Sequence, residues 1–406
     1  MGLTVARNLR TGTPLWLAKP PRLLLKKTFK RILFDVIVVG TGISGALTAD
    51  ALQSAGYSVL VVDKRSPMRG STPASTALLQ SEIDIPLIKL QRQIGKTNAA
   101  RVWWRSAQSV NALVDRINDL KIDCDFRLRS TLYLTGDVLN VEGLKHETIA
   151  RSALGLRSVF LGRKALAAYS GLDKAGAILT EGNAEADPAK LVAGIWRHFI
   201  KNGGHMKSET EIIEVEQSRS IVRLKTADGK QLQSRYAVFC SGYEILKFAK
   251  PEGYKVISTW VLATKPQPSQ IWRNKSLIWE ASDPYLYLRS TVDGRIIVGG
   301  EDEPFSDASI RDKLIPSKIS AIASKAQRLF PNANFEADYA WAGCFGESPN
   351  GLPAIGPIKN LSRCYAVLGF GGNGITFSML AAQLVSRHIQ KINDPDAELF
   401  SFPPLG

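Results

Sequence analysis

The sequence predicts an α/β plus α+β chain of two domains, the first assembled from separated segments around a parallel sheet and the second built on an antiparallel sheet. Three observations carry this reading. Phe34 to Asp63 spells a complete strand–turn–helix–strand unit, a second glycine-rich strand–helix turn stands near residue 371, and alternating apolar runs closed by polar turns lie between them. At 406 residues the chain exceeds what one hydrophobic core usually organises, and its 45% apolar content is ample for two.

The first unit reads FDVIVVGTGISGALTADALQSAGYSVLVVD. Its apolar run Val36 to Val39 ends in Gly40, Gly42 and Gly45 at GxGxxG spacing; a helix-period segment follows, Gly56 stops it, and Asp63 closes a second apolar run. Gly40 permits the turn out of the strand, Gly42 lets backbone N–H groups approach a pyrophosphate, and Gly45 lets helix and strand pack closely. A dinucleotide's phosphates would sit at the positive end of the helix, with Asp63 on a ribose hydroxyl. This unit alone leaves NAD(P) and FAD equally open.

After Asp63 the segment KRSPMRGSTPASTALLQSEIDIPL is rich in small hydroxylated residues and reads as a loop pressed against a ligand. Residues 86–121 carry Leu90, Ile94, Val102, Trp103, Val110, Leu113, Val114 and Ile117 at helical spacing, which places the Trp103–Trp104 pair in a core. A mixed stretch with strand-like Arg129 to Leu134 comes next. Asp187 then caps a helix with Pro188 at its first position, and the helix stops at Asn202–Gly203–Gly204. Ile212 to Cys240 is β-rich, turns at Asp228–Gly229, and runs into Gly242. The segment YLYLRSTVDGRIIVGG forms a hairpin closed by Asp293–Gly294, a helix spans Ile310 to Phe330, and the tail VLGFGGNGITFSMLAAQLVSRHIQ is a strand, a glycine loop and a helix. The second glycine turn makes the nucleotide domain discontinuous: segments 34–85, 187–245 and 335–395, with 86–186 and 246–334 forming the second domain.

Charge and cysteine usage narrow the setting. The formal net charge is +15, and eight of those charges lie within residues 1–33, which hold no acidic residue. The remainder is a mildly basic surface rather than a nucleic-acid footprint. The arm fits a targeting peptide, a peripheral contact with an anionic membrane, or an extension packed on the domain that follows. Pro14, Pro20 and Pro21 interrupt any long amphipathic helix and favour the last. No stretch supplies the roughly 18 uncharged apolar residues of a membrane span. Cys124, Cys240, Cys344 and Cys364 form no CxxC, which suits a reducing, cytoplasmic setting, and His146, His198, His205 and His388 show no ligand spacing with them.

The βαβ unit, the Ser/Thr-rich loop, a central strand ending in a small residue plus Gly, and the GFGGNGIT loop together resemble the D-amino-acid oxidase superfamily of FAD enzymes, which includes glycine oxidase, sarcosine oxidase and γ-glutamylputrescine oxidase. The resemblance implies a discontinuous Rossmann-like FAD-binding domain, a second antiparallel-sheet substrate domain, and oxidation of a small amine or amino acid with oxygen or another electron acceptor. LRTGTPLW in the arm resembles the N-termini of such proteins. Carried residue by residue, it puts Gly40, Gly42, Ser44 and Gly45 at the pyrophosphate, Asp63, Lys64 and Arg65 at the adenosine, and Ile212 and Gly242 along the cofactor. Ser71, Thr72, Ser75 and Thr76, with Leu78 and Leu79, would line the pyrophosphate, ribityl chain and flavin. Gly371, Gly372, Gly374, Ile375 and Thr376 would face the pyrimidine edge, where N–H groups and the helix's positive end stabilise charge gained on reduction.

Three departures limit the analogy. The arginine that glycine oxidase places two residues after the glycine of Trp341–Ala342–Gly343, to grip a substrate carboxylate, is Phe345 here. The flavin-tethering cysteine aligns with Gly343, one residue from Cys344, which implies non-covalent FAD. The lysines that promote reaction with oxygen align with Thr376 and Ile297. Candidate substrate contacts are Tyr285, Tyr287, Arg289, Phe345 and Glu347. The reading is an FAD-dependent oxidoreductase acting on a C–N bond; the alternatives are an NAD(P)-dependent dehydrogenase and a flavin-binding electron-transfer subunit without its own substrate.

Overall fold

The computed structural model describes residues 2–24 and 33–402. Lys26, Lys27, Lys30 and Arg31 of the basic arm lie outside the described residues. Among those described, the chain forms two sheets, one of eight strands and one of ten.

The smaller sheet is centred on Leu33–Val39, with Val59–Val62 and then His205–Lys207 parallel on one side and Gln231–Phe239 and then Leu361–Leu368 parallel on the other. Because both faces of the central strand are covered, it reads as a continuous apolar run. Val36 and Val38 face the helices Ile43–Ser54, Pro188–Lys201 and Gly374–Ile389, while Phe34 and Ile37 face the meander Ile212–Gln217, Val222–Thr226 and Gln231–Phe239. Asp187 caps its helix as expected, accepting from Ala189 N (2.8 Å) and Lys190 N (3.0 Å). Three segments distant in sequence thus meet because a parallel sheet requires long crossovers.

The larger sheet carries the expected hairpin, Leu286–Ser290 with Ile296–Glu303, at its centre. Leu286 and Leu288 pack outward with Ile322 and Ala326 of the helix Ile315–Leu329, and the alternate residues Tyr287 and Arg289 point the other way, towards the smaller sheet. The expected segment boundaries need correction. Ala337–Glu347, placed within 335–395, pairs in the larger sheet with Lys255–Thr264, and Leu78–Leu79, placed within 34–85, pairs there with Gly176–Glu185. Ala337–Glu347 also pairs with Arg10–Gly12, so the N-terminal segment contributes a short strand to that sheet.

The stretch 135–186 holds more regular structure than its sequence suggests: helices Val141–Ala153 and Arg163–Ser170 and strands Ser158–Gly162 and Gly176–Glu185. A buried polar knot fixes the first helix. Arg151 donates to Glu147 (2.8 Å), stands 3.7 Å from Glu82, and lies over the Trp103 ring, while Glu147 accepts from Leu87 N and Ile88 N at the start of the helix Leu87–Ile94. Gly95 splits the expected 86–121 helix into Leu87–Ile94 and Lys96–Asp119. Trp103 is core, as expected; Trp104 is exposed.

Candidate functional site

A single cleft runs between the two sheets, from the Gly40–Ser44 turn and Asp63 at one end to Trp279, Tyr285, Tyr287 and Phe345 at the other. The turn is as tight as the motif demands. Gly40 has φ +118°, and an ideal Cβ on Gly45 would stand 1.9 Å from the Gly40 carbonyl oxygen. Gly45 therefore packs helix on strand and does not line the cleft. Thr72 reaches over the turn, its Oγ1 accepting from Ile43 N at 3.1 Å.

Asp63 behaves differently from the simple ribose contact. Its Oδ2 accepts from Thr41 N and Thr41 Oγ1, both at 2.7 Å, and its Oδ1 from Arg65 N at 2.8 Å. Three of a carboxylate's roughly four acceptor sites are thereby used inside the protein. The shorter carboxylate ties the glycine turn to its own strand end. Lys64 and Arg65 both pair with buried Glu244, at 2.9 and 2.8 Å. Burial alone would raise Glu244, but Arg65, the Arg7 N–H and Lys64 outweigh it and hold the carboxyl below its ordinary range.

The Ser/Thr-rich loop is held from behind by donors that consume successive carbonyls. Trp341 Nε1 donates to Ala74 O (2.9 Å), Trp16 Nε1 to Ser75 O (2.8 Å), and Arg289 Nη1 to Thr76 O and Ala77 O (both 3.1 Å). With those acceptors turned away, Ser71, Thr72, Ser75, Thr76 and Leu78 line the cleft. The N-terminal segment thus braces the loop through Trp16, and Leu3, Thr4 and Leu9 also line the cleft.

Several expectations are corrected. Arg289 is buried, donates also to Ala186 O (2.8 Å), pairs with Glu185 at 3.5 Å and lies over the Trp16 ring; its donors face backbone, not a substrate. Leu79 is in the core, since it alternates with Leu78 on the strand. Thr376 spends its hydroxyl on Gln80 O (3.0 Å) and does not line the cleft. Glu347 is exposed at the strand's end, outside the cleft lining. Gly242, Ile212, Gly371, Gly372, Gly374 and Ile375 do line it, as do Tyr285, Tyr287 and Phe345.

The structure adds residues that motif reading missed. Asp84 lies in the cleft and accepts from Gly372 N at 2.7 Å, so the loop after the first unit clasps the terminal glycine turn. Asp84 is exposed within the cleft, and the protein packed around it raises its carboxyl to about 6, the Gly372 N–H opposing and Glu347 reinforcing the rise. Behind the tyrosines stands Asp302, whose two carboxyl oxygens are sealed from solvent with no close hydrogen-bond partner. The Thr259 and Tyr285 hydroxyls face it without closing to hydrogen-bond length. Burial lifts Asp302 to about 7 despite those hydroxyls, and Glu347 and Asp84 add repulsion. Gln80 Oε1, Ser241 Oγ and Trp279 Nε1 are likewise buried without partners, all on cleft-lining residues. Asp84 had a signal, lying within SEID at the end of the hydroxyl-rich loop; Asp302, near the bulged end of the strand Ile296–Glu303, had none.

Among the described residues, no helix is long and apolar enough to cross a membrane, and no group of His, Cys, Asp or Glu is placed to hold a metal ion. All four cysteines are buried and free.

The family model described as DAO, FAD dependent oxidoreductase, matches residues 35–388. The γ-glutamylputrescine oxidoreductase of Escherichia coli (strain K12) is 23% identical over 382 residues, covering 90% of this chain and 85% of that protein. The glycine oxidase of Bacillus licheniformis is 22% identical, covering 87% and 92%. Among solved structures, glycine oxidase from Geobacillus kaustophilus superposes with a TM-score of 0.75 at 17% identity over 93% of this chain and 99% of that one. L-proline dehydrogenase from P. horikoshii gives 0.74 at 18% identity, over 91% and 96%.

Proposed function

We propose that this chain, which belongs to the DAO family of FAD-dependent oxidoreductases, oxidises a carbon–nitrogen bond of an amine or amino acid by hydride transfer to the flavin. One observation carries the reading: a single cleft joins a dinucleotide-type glycine turn to an aromatic face on a separate sheet. The family sets aside the NAD(P) alternative. The residues fit the cofactor, because the cleft presents unpartnered buried polar atoms on Ser241, Gln80 and Trp279 and a glycine turn that no side chain fills.

In this reading the Gly40–Ser44 turn and Ser71–Thr72 hold the pyrophosphate, the Asp63–Arg65 strand end and Ile212 flank the adenosine, and Leu78 with Gly371–Ile375 borders the flavin. FAD, when bound, supplies the two-electron acceptor. The protein's own part is orientation. The substrate's α C–H bond breaks with both electrons leaving as hydride, the nitrogen lone pair becomes the second C=N bond, and an iminium departs. Tyr285, Tyr287, Trp279 and Phe345 exclude water and fix the carbon, and backbone N–H groups at Gly371–Ile375, at the positive end of the helix Gly374–Ile389, favour the negative charge that arrives.

Oxygen or another acceptor then takes the electrons. The other acceptor is favoured: among the described residues lining the cleft, Lys64 and Arg65 are the cations, both at the nucleotide end, and Ile297 sits in an apolar cluster with Trp16 and Trp341. The test is the absorption spectrum of the purified protein, followed by anaerobic titration with a panel of amines and amino acids. Bleaching of the flavin bands supports the reading. A flavin that no member of the panel reduces overturns it and leaves a flavin-binding protein without its own substrate.

A further inference from the structure

The charges lining the cleft are unevenly distributed. At the nucleotide end Lys64 and Arg65 are neutralised by Glu244, with Asp63 and Glu211 beside them. At the other end the only lining charge among the described residues is Asp84. Asp302 stands behind Tyr285 and Thr259, and the cations beside its neighbours, Lys318 and Lys325, pair with Glu301 and Glu303. The arginine nearest in sequence, Arg289, spends its guanidinium on three loop carbonyls and Ser290 O. A carboxylate entering here would meet the Asp84 carboxylate at the wall and the Asp302 carboxyl behind it, with no cation on the described lining of this end to attract it.

The same end is walled by aromatic faces. Trp279, Tyr285, Tyr287 and Phe345 line it, the Tyr285 and Tyr287 rings lie 5.7 Å apart, and Trp279 is stacked on Tyr133 at 3.9 Å, which fixes its plane. Ring faces attract cations, the more so when water is excluded. Gln80, more than nine-tenths buried, presents an unpartnered carbonyl oxygen on this lining, an acceptor that an ammonium N–H completes. Unsatisfied buried polar groups call for a ligand that completes them.

We propose that the substrate end is a cation site: it takes an alkylammonium substrate bearing no carboxylate on the reacting carbon, with Asp84 receiving the ammonium, the aromatic walls enclosing it, and Asp302 positioning Tyr285 and Thr259. The inference rests on the C–N oxidation proposed above and names its substrate class. It also assigns the proton. An ammonium has no lone pair, so one N–H must break with its electrons staying on nitrogen before hydride can leave carbon. Asp84 takes that proton, and the oxidant is the FAD already required.

The experiment uses the flavin-loaded protein in two arms. In the first, anaerobic stopped-flow reduction compares amines with amino acids of the same side chain: phenethylamine with phenylalanine, and butylamine with norvaline. The amines should reduce the flavin at least tenfold more efficiently. Amino acids equal to or better than the amines overturn this inference while leaving the proposed reaction standing. In the second arm, the flavin spectrum is titrated with tetramethylammonium and with acetate, which need no turnover. Tetramethylammonium should bind, and Asp84→Asn should weaken it at least tenfold with flavin content unchanged; binding of acetate in preference overturns the inference even if the protein turns over nothing. Should Asp84→Asn lose its flavin, Asp302→Asn provides the second variant. It should raise KM for the amine several-fold with a smaller change in kcat, and an unchanged KM removes Asp302 from the site.

Discussion

Gly45→Ala changes one hydrogen into a methyl group where the structure has no room for it. An ideal Cβ at this position stands 1.9 Å from the Gly40 oxygen and 2.9 Å from the Gly40 carbon, about 1.1 Å inside the 3.0 Å floor for real Cβ contacts. The obstacle is backbone, so no side-chain rotation relieves it. Nor can Gly40 retreat: its φ is +118°, and its own Cβ position is taken by Cys240 O, just past the neighbouring strand. The helix Ile43–Ser54 must therefore withdraw by about an ångström, lengthening the Ile43 N–Thr72 Oγ1 bond (3.1 Å) and the Ser44–Ser378 contact (2.8 Å). Overpacking of this kind costs about 1–3 kcal/mol. Part of that appears in stability and part in cofactor affinity, since the moved turn is the proposed pyrophosphate cradle. Flavin titration of the stripped protein, with urea unfolding alongside, should show at least a tenfold weaker FAD complex and a lower midpoint. Gly56→Ala is the control: its φ is +87° but nothing lies within 4 Å of its Cβ, so it should cost about 1 kcal/mol of stability and leave FAD affinity intact. Wild-type affinity and midpoint in Gly45→Ala would refute the packing argument.

Four further outcomes are expected. Gly42→Val should abolish flavin binding, because even a Cβ there lies 3.1 Å from Thr72 Oγ1 and a branched side chain fills the turn; stoichiometric FAD in that variant rules out the placement. The purified protein should be yellow and release its flavin on acid precipitation, since Gly343 occupies the expected tethering position; flavin that stays with the precipitate shows a covalent link. Stopped-flow reoxidation of the reduced protein in air-saturated buffer should be slower than turnover with an artificial acceptor by about a hundredfold, the effect of one missing cation in a low-dielectric site; equal rates would establish an oxidase. Asp302 has its folded-state pKa raised from 3.8 to about 7, so the folded state binds more protons than the unfolded chain across that window and stability falls as pH rises through it. Asp302→Asn should therefore match wild type near pH 3 and exceed it above pH 7, by at most about 4 kcal/mol for a three-unit shift; parallel stability curves would show that the carboxyl is not strained.

Local physics made much of this protein legible before folding. Gly40, Gly42 and Gly45 announce a turn because backbone sterics act within a few residues, and Asp187 with Pro188 announces a helix start because an orphan N–H can be capped only from the adjoining residue. The hairpin at Asp293–Gly294 and the apolar run Val36 to Val39 follow from turn chemistry and two-sided burial in the same way. The first βαβ unit alone left NAD(P) and FAD open; the second glycine loop near residue 371 favoured FAD, and the resemblance supplied the family.

What tertiary structure decided are the partners of polar groups. Arg289, read as a substrate contact from its place between strand residues, is turned by the pleat onto carbonyls of a loop more than two hundred residues earlier. Thr376 finds Gln80, Asp63 closes on Thr41, and Trp16 of the N-terminal segment braces Ser75. None of these pairings is local, and a hydrogen bond's partner cannot be read from a spacing when two sheets must first come together. The acidic, aromatic end of the cleft is the clearest instance: Asp84 follows a loop and Asp302 a bulge, and only the packing of one sheet against the other places both carboxyls around the same tyrosines, with the Asp302 oxygens sealed from water.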